Sequence, residues 1–171
     1  MAARLSVTVA ALCCASLLGI SSSYAQNLPG GARPIHAGPV DVAELTRRAD
    51  LVVHGSVTAR STVWIGRVIY TVYDVLVQET LKGAPRTTVS VAVVGGARGN
   101  VRLSVPGAPD LQNGEQVVIF AAPLQGATFT PIGTFDGIVR VRQGNGAATV
   151  APRGRPEPLD DFLQELRAGG R

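Results

Sequence analysis

The sequence predicts a mainly β chain: a small OB-like β-barrel, closed or partly open, with a short N-terminal helix and a C-terminal amphipathic helix packed on it. Three observations carry this. Between residues 51 and 150 apolar and polar residues alternate with the period of two that half-buried strands require. Gly, Pro and Asn-Gly interrupt the alternation at strand length. Finally, "NGEQVVIFAAP" at residues 113–123 holds six consecutive apolar residues, Val117 to Ala122. Six residues cannot cross a bilayer, and their β-branched and aromatic content favours strand over helix. A strand apolar on both faces must be covered on both, as when one face lines a barrel and a helix packs on the other.

The elements follow in order. "MAARLSVTVAALCCASLLGISSSYA", residues 1–25, reads as a secretory signal peptide: Arg4 is the only charge, and Val7 to Ile20 form an apolar core. Small residues, Ser23 and Ala25, stand at the −3 and −1 positions for cleavage between Ala25 and Gln26. The core is too short for a membrane span, so none is expected after signal removal. Both cysteines, Cys13 and Cys14, leave with the signal. The mature chain is thereby expected to be exported, periplasmic or secreted, with no disulfide, thiol nucleophile or Cys-based zinc site.

Residues 26–40 are rich in Gly and Pro without periodicity and read as a flexible leader. One domain, residues 41–168, follows. A short helix should begin at Asp41 as N-cap, with Glu44 completing a capping box and Val40 and Leu45 a hydrophobic staple. "LVVHGSVTA" is the first strand, with Leu51, Val53, Val57 and Ala59 inward. His54, Ser56, Thr58 and Arg60 then face outward, and Gly55 marks a bulge or bend. "VIYTVYDVLVQETL" and "TTVSVAVVGG" are the next two strands, with Val89, Val91 and Val93 in phase. "GGARGN" reads as a glycine-rich loop, "VRLSV" as a short strand and "PGAPDLQNGE" as a turn-dense connection. "ATFTPIG", "GIVRVRQ" and "AATVA" continue the meander, with "QGNG" a hairpin turn. In "PEPLDDFLQELRAGG", Leu159, Phe162, Leu163 and Leu166 form one helical stripe. Asp160 and Asp161 suit its N-terminus and Arg167 its C-terminus.

"ADLVVHGSVTA", "VYDVLVQETLKG", "VPGAPDLQNGEQVVIFA" and "GTFDGIVRV", spanning about residues 42–143, resemble a family of small exported bacterial domains of uncharacterised function. The same succession is similar, more distantly, to netrin-like domains and tissue inhibitors of metalloproteinases. That resemblance implies an OB-type barrel. It does not extend to the inhibitory mechanism, which needs an N-terminal cysteine that the mature chain lacks.

Few residues point to chemistry. Trp64, the only tryptophan, sits beside a turn with Ile65, Arg67 and the aromatics Tyr70 and Tyr73 nearby. It could stack on a ligand, though plugging the end of the barrel is the favoured reading. His54 is expected on the surface; with His36 in the leader, two histidines fall short of a zinc ligand set. Arg98 and the amides of Gly95–Gly99 suggest a phosphate cradle but lack the Lys-Ser/Thr of a P-loop, which favours a plain connection. Glu79, Leu81, Lys82 and Gly83 read as structural. His54, Trp64, Arg67 and Arg98 are the candidate interaction surface. No catalytic, metal or cofactor residues are expected.

Removing Arg4 from 16 basic residues leaves 15 against 12 acidic, a net charge of +3. The arginines are scattered and aromatics are sparse, which argues against nucleic acid. The expected function is that of an exported, non-enzymatic module binding an extracytoplasmic protein or envelope polymer. The alternatives are an inhibitor or regulator of an extracellular peptidase, on the netrin-like analogy, and a hydrolase, although no G-x-S-x-G elbow is present.

Overall fold

The computed structural model describes residues 41–133, 135–144 and 146–169. The signal segment, its Ala25/Gln26 junction, the leader with His36, and Val40 of the staple lie outside the described residues. Helix α1 (Val42–Arg48) is capped by Asp41, whose carboxylate accepts from the amides of Ala43 and Glu44 at 3.0 and 3.2 Å. Only this half of the expected capping box forms, because Glu44 turns instead to Arg47 and Arg48 along the helix. At the other end Lys82 Nζ donates to the carbonyls of Thr46 at 2.7 Å and Arg47 at 3.3 Å, satisfying acceptors that a helix C-terminus leaves bare.

The strands are β1 (Leu51–Ile65), β2 (Val68–Lys82), β3 (Thr88–Val94), β4 (Gly96–Arg98), β5 (Val101–Leu103), β6 (Gln116–Gln125), β7 (Thr128–Pro131), β8 (Ile138–Arg140), β9 (Arg142–Gln143), β10 (Ala148–Val150) and β11 (Glu157–Pro158). Helix α2 (Leu159–Gly169) ends the described chain. β1, β2 and β3 form an antiparallel meander, β3 pairs in parallel with β7, β7 with β6, and β6 returns to β1. The pairing thus runs in a ring, with β8 also on β6. "GGARGN", read as a loop, is instead the first half of a hairpin: β4 pairs with β5. Gly96 allows this, since a Cβ there would stand 2.7 Å from Thr71 Oγ1 as β4 crosses the β1–β2 ribbon, at a φ of +132° that side-chain-bearing residues avoid.

The packing is in two layers. Inside the ring, Leu51, Val53, Val57, Tyr73, Val75, Val89, Val91, Val93, Val117, Ile119 and Phe129 meet in one core, together with Leu111 from the β5–β6 connection. On the outside of β1 and β6, Val52, Val118 and Phe120 pack against Val42 and Leu45 of α1 and the Leu159, Phe162, Leu163, Leu166 stripe of α2. The apolar run in β6 is therefore divided by strand alternation between both cores. The C-terminal helix is the cover its outer face requires.

Bulges decide where side chains point. One lies at His54/Gly55, where Gly55 is needed because a Cβ would sit 2.4 Å from the carbonyl oxygen of Leu76. Another falls between Val57 and Ala59, opposite Val75 and Asp74. It adds one residue to β1 and exchanges its faces. Beyond it Arg60, Thr62 and Trp64, paired with Tyr73, Thr71 and Ile69, continue the face that Val57 began. Plain alternation had placed Ala59 inward and Arg60 outward; Ala59 is exposed, and Arg60 takes the turned position.

Candidate functional site

The β1–β2 ribbon is longer than the ring, and its turned face forms one wall of a groove. The β4–β5 hairpin and the connection from Leu103 to Asp110 form the other. The groove measures about 450 Å³ and is lined by Arg60, Thr62, Tyr73, Arg102 and Asp110 among others. Its floor is fixed by hydrogen bonds. Tyr73 Oη donates to Pro109 O at 3.1 Å and accepts from Leu111 N at 3.4 Å. Leu111 is thereby held in the ring interior, 1% exposed. Thr71 Oγ1 donates to Gly95 O at 2.8 Å, tying the β3–β4 corner to the ribbon.

The charges sit above this floor. Arg60 Nη1 donates to Asp110 Oδ1 at 2.5 Å, and its guanidinium stands 5.9 Å from the centre of the Tyr73 ring. Arg98 donates to the carbonyl of Thr62 at the hairpin end. Arg102 lines the opposite wall and, among the described residues, has no acidic partner within ion-pair distance. Two guanidinium groups, those of Arg60 and Arg102, thus line the groove that holds the Asp110 carboxylate, and only Arg60 pairs with it.

Trp64 is 46% exposed, two residues beyond Thr62 on the same face. It does not plug the core; Leu111 fills that role. Arg67 is exposed in the hairpin turn close by. Trp64, Arg67 and Arg98 accordingly share one end of the molecule. His54 does not join them. Ten residues back along β1, roughly 30 Å of strand, it is 8% exposed. The expected surface position fails because β1 lies between β2 and β6 there, under α2, so the outward face is a covered one. Its Nε2 has no hydrogen-bond partner among the described residues. Burial holds the imidazole below its ordinary pKa, against the opposing charges of Glu79 and Asp160.

Glu79, the register partner of His54, accepts two hydrogen bonds from Arg167 of α2, both at 2.7 Å. They hold its carboxyl below the usual range. This fork clips α2 to β2. A second cleft, about 400 Å³ between α1 and α2, has its two cations already committed. Lys82 caps α1 and Arg47 pairs with Glu44. Among the described residues no group of three or more His, Cys, Asp or Glu is placed to hold a metal ion, and no helix is long and apolar enough to cross a membrane.

No known protein family and no curated protein matches this chain. Tyr73 was expected only as an aromatic near Trp64 and Arg60 only as an outward-facing residue, and Arg102 and Asp110 were not among the residues singled out in the sequence. The signal that could have found them is the surplus residue between Val57 and Arg60 when β1 is aligned against β2.

Proposed function

We propose that this chain is an exported, non-catalytic binding module built on an OB-type barrel, and that it holds an extracytoplasmic protein or envelope component in the groove between its two hairpins. The barrel reading is supported by the circuit β1-β2-β3-β7-β6-β1 with its apolar interior, which suits a five-stranded Greek-key barrel. OB-type barrels take ligands against the second and third strands and the loop joining the first two. The groove here is framed by the β1–β2 hairpin, which corresponds to that loop. Export rests on the signal-like first 25 residues.

The observation that carries the binding role is the combination of Arg102, lacking an acidic partner among the described residues, with the exposed indole of Trp64 beside the groove. Tryptophan and arginine are the residue types enriched at the contact points of protein interfaces. The test is affinity capture. The chain from Gln26 onward, immobilised, is exposed to envelope extract and culture medium, in parallel with R102E and W64A variants. A partner retained by the native chain and lost from both variants supports the proposal. A partner retained equally by all three overturns the groove as the binding site.

A further inference from the structure

We infer that the groove takes an acidic peptide segment, one that presents carboxylates to Arg102 and Arg60; this rests on the binding-module reading above. The groove already holds one carboxylate. Asp110 is gripped by Arg60 over the face of Tyr73, while both side chains remain about half exposed, at 64% and 45%. Asp110 thus shows that the groove's own geometry accommodates an aspartate side chain. It also leaves the pair accessible to exchange with an incoming acid. Arg102 across the groove offers a second guanidinium with no acidic partner among the described residues. A planar guanidinium fork suits a carboxylate better than a lysine ammonium would.

Two further features favour a peptide over a densely charged polyanion. Asp110 itself repels any ligand carrying a charge at every unit, but not one whose acids are spaced. An exposed apolar side chain continues the face that carries Arg60: Trp64, at 46%, on the β1–β2 hairpin. A peptide with aliphatic residues between its acids can use both kinds of surface. A polyphosphate or a nucleic-acid backbone uses only the charges.

The single tryptophan provides the readout. Trp64 emission is followed while the chain from Gln26 onward is titrated with an octapeptide alternating Glu and Leu. The Gln and Lys counterparts, a single-stranded oligonucleotide and inorganic polyphosphate are titrated in parallel. The Glu peptide should bind about tenfold more tightly than its Gln counterpart, the scale of one hydrogen bond to a charged group, and R102A should remove most of that advantage. D110N should tighten binding of the Glu peptide by about threefold, the scale of releasing an exposed ion pair. A merely structural Asp110 would not give that gain. Circular dichroism establishes that both variants are folded. Equal binding of the Glu and Gln peptides overturns the acidic class while leaving the groove a binding site. Tighter binding of the oligonucleotide or polyphosphate replaces the peptide with a polyanion. If no probe alters Trp64 emission and a captured partner ignores R102E, both readings fall.

Discussion

Replacing His54 with leucine should make the fold more stable and less sensitive to acid. The imidazole is 8% exposed and its Nε2 has no partner among the described residues. A buried polar atom left unsatisfied costs about 1–3 kcal/mol. Leucine at the same place adds apolar contact beside Val52 and Val118 and removes that atom. Imperfect shape takes back part of the gain, so a net stabilisation of about 1 kcal/mol is expected near neutral pH. The pH effect has a definite sign. Burial lowers the folded pKa of His54 below the reference value of 6.5, and the charges of Glu79 and Asp160 only partly oppose this. Between the folded and unfolded values the unfolded chain binds more protons. The stability His54 contributes is thus complete above about pH 6.5 and is lost as the pH falls through the folded value. The loss linked to Glu79, whose pKa Arg167 also lowers, lies at lower pH, beneath the usual carboxylate range. Urea unfolding of both proteins at about pH 8 and about pH 5.5 isolates the histidine. The native midpoint should fall between the two conditions, and that of H54L should fall much less. Equal midpoints for the native chain, or a parallel drop in H54L, would refute the reasoning.

Other substitutions probe the frame. Phe162 is fully buried at the centre of the α2 stripe, so F162A should cost about 3–5 kcal/mol in urea unfolding; a cost below about 1 kcal/mol would mean that α2 is not the cover of β6. In G55A the new methyl would lie 2.4 Å from Leu76 O and 2.8 Å from Val75 Cγ1. Backbone cannot retreat as a side-chain tip can, and a loss of about 1–3 kcal/mol is expected. Its control is G146A, where, among the described residues and its chain neighbours aside, no atom lies within 4 Å of the added carbon and the change should stay within about 0.5 kcal/mol.

Much of the frame was legible because it depends on periodicity. Leu159, Phe162, Leu163 and Leu166 announce a one-sided helix, and the unbroken run in β6 requires covers on both faces; the two features match in the folded chain. The groove was not legible because it depends on breaks in periodicity. The residue inserted between Val57 and Ala59 exchanges the faces of β1 and brings Arg60 to the side where alternation would place Ala59. A bulge of this kind has no composition of its own. His54 misled for a related reason: a polar residue at an outward position implies solvent only if nothing packs there, and α2 comes from more than 100 residues further along the chain. Leu111 shows the same limit, since its turn-rich surroundings suggest surface while its side chain fills the ring.

The ring has a kinetic side. β1 meets β2 across a tight hairpin, but its other edge is closed only by β6, some 60 to 70 residues later. A chain growing from its N-terminus can thus assemble the first three strands while β1 still presents an unpaired apolar edge, the kind of edge that recruits other chains. When β6 closes that edge it brings a second bare surface, Val118 and Phe120, which stays wet until α2 arrives. Assembly therefore cannot finish in instalments. The last 11 residues of the described chain decide whether the outer face of β6 ends covered or bare, and shortening this end should be far less tolerated than its distance from the groove suggests.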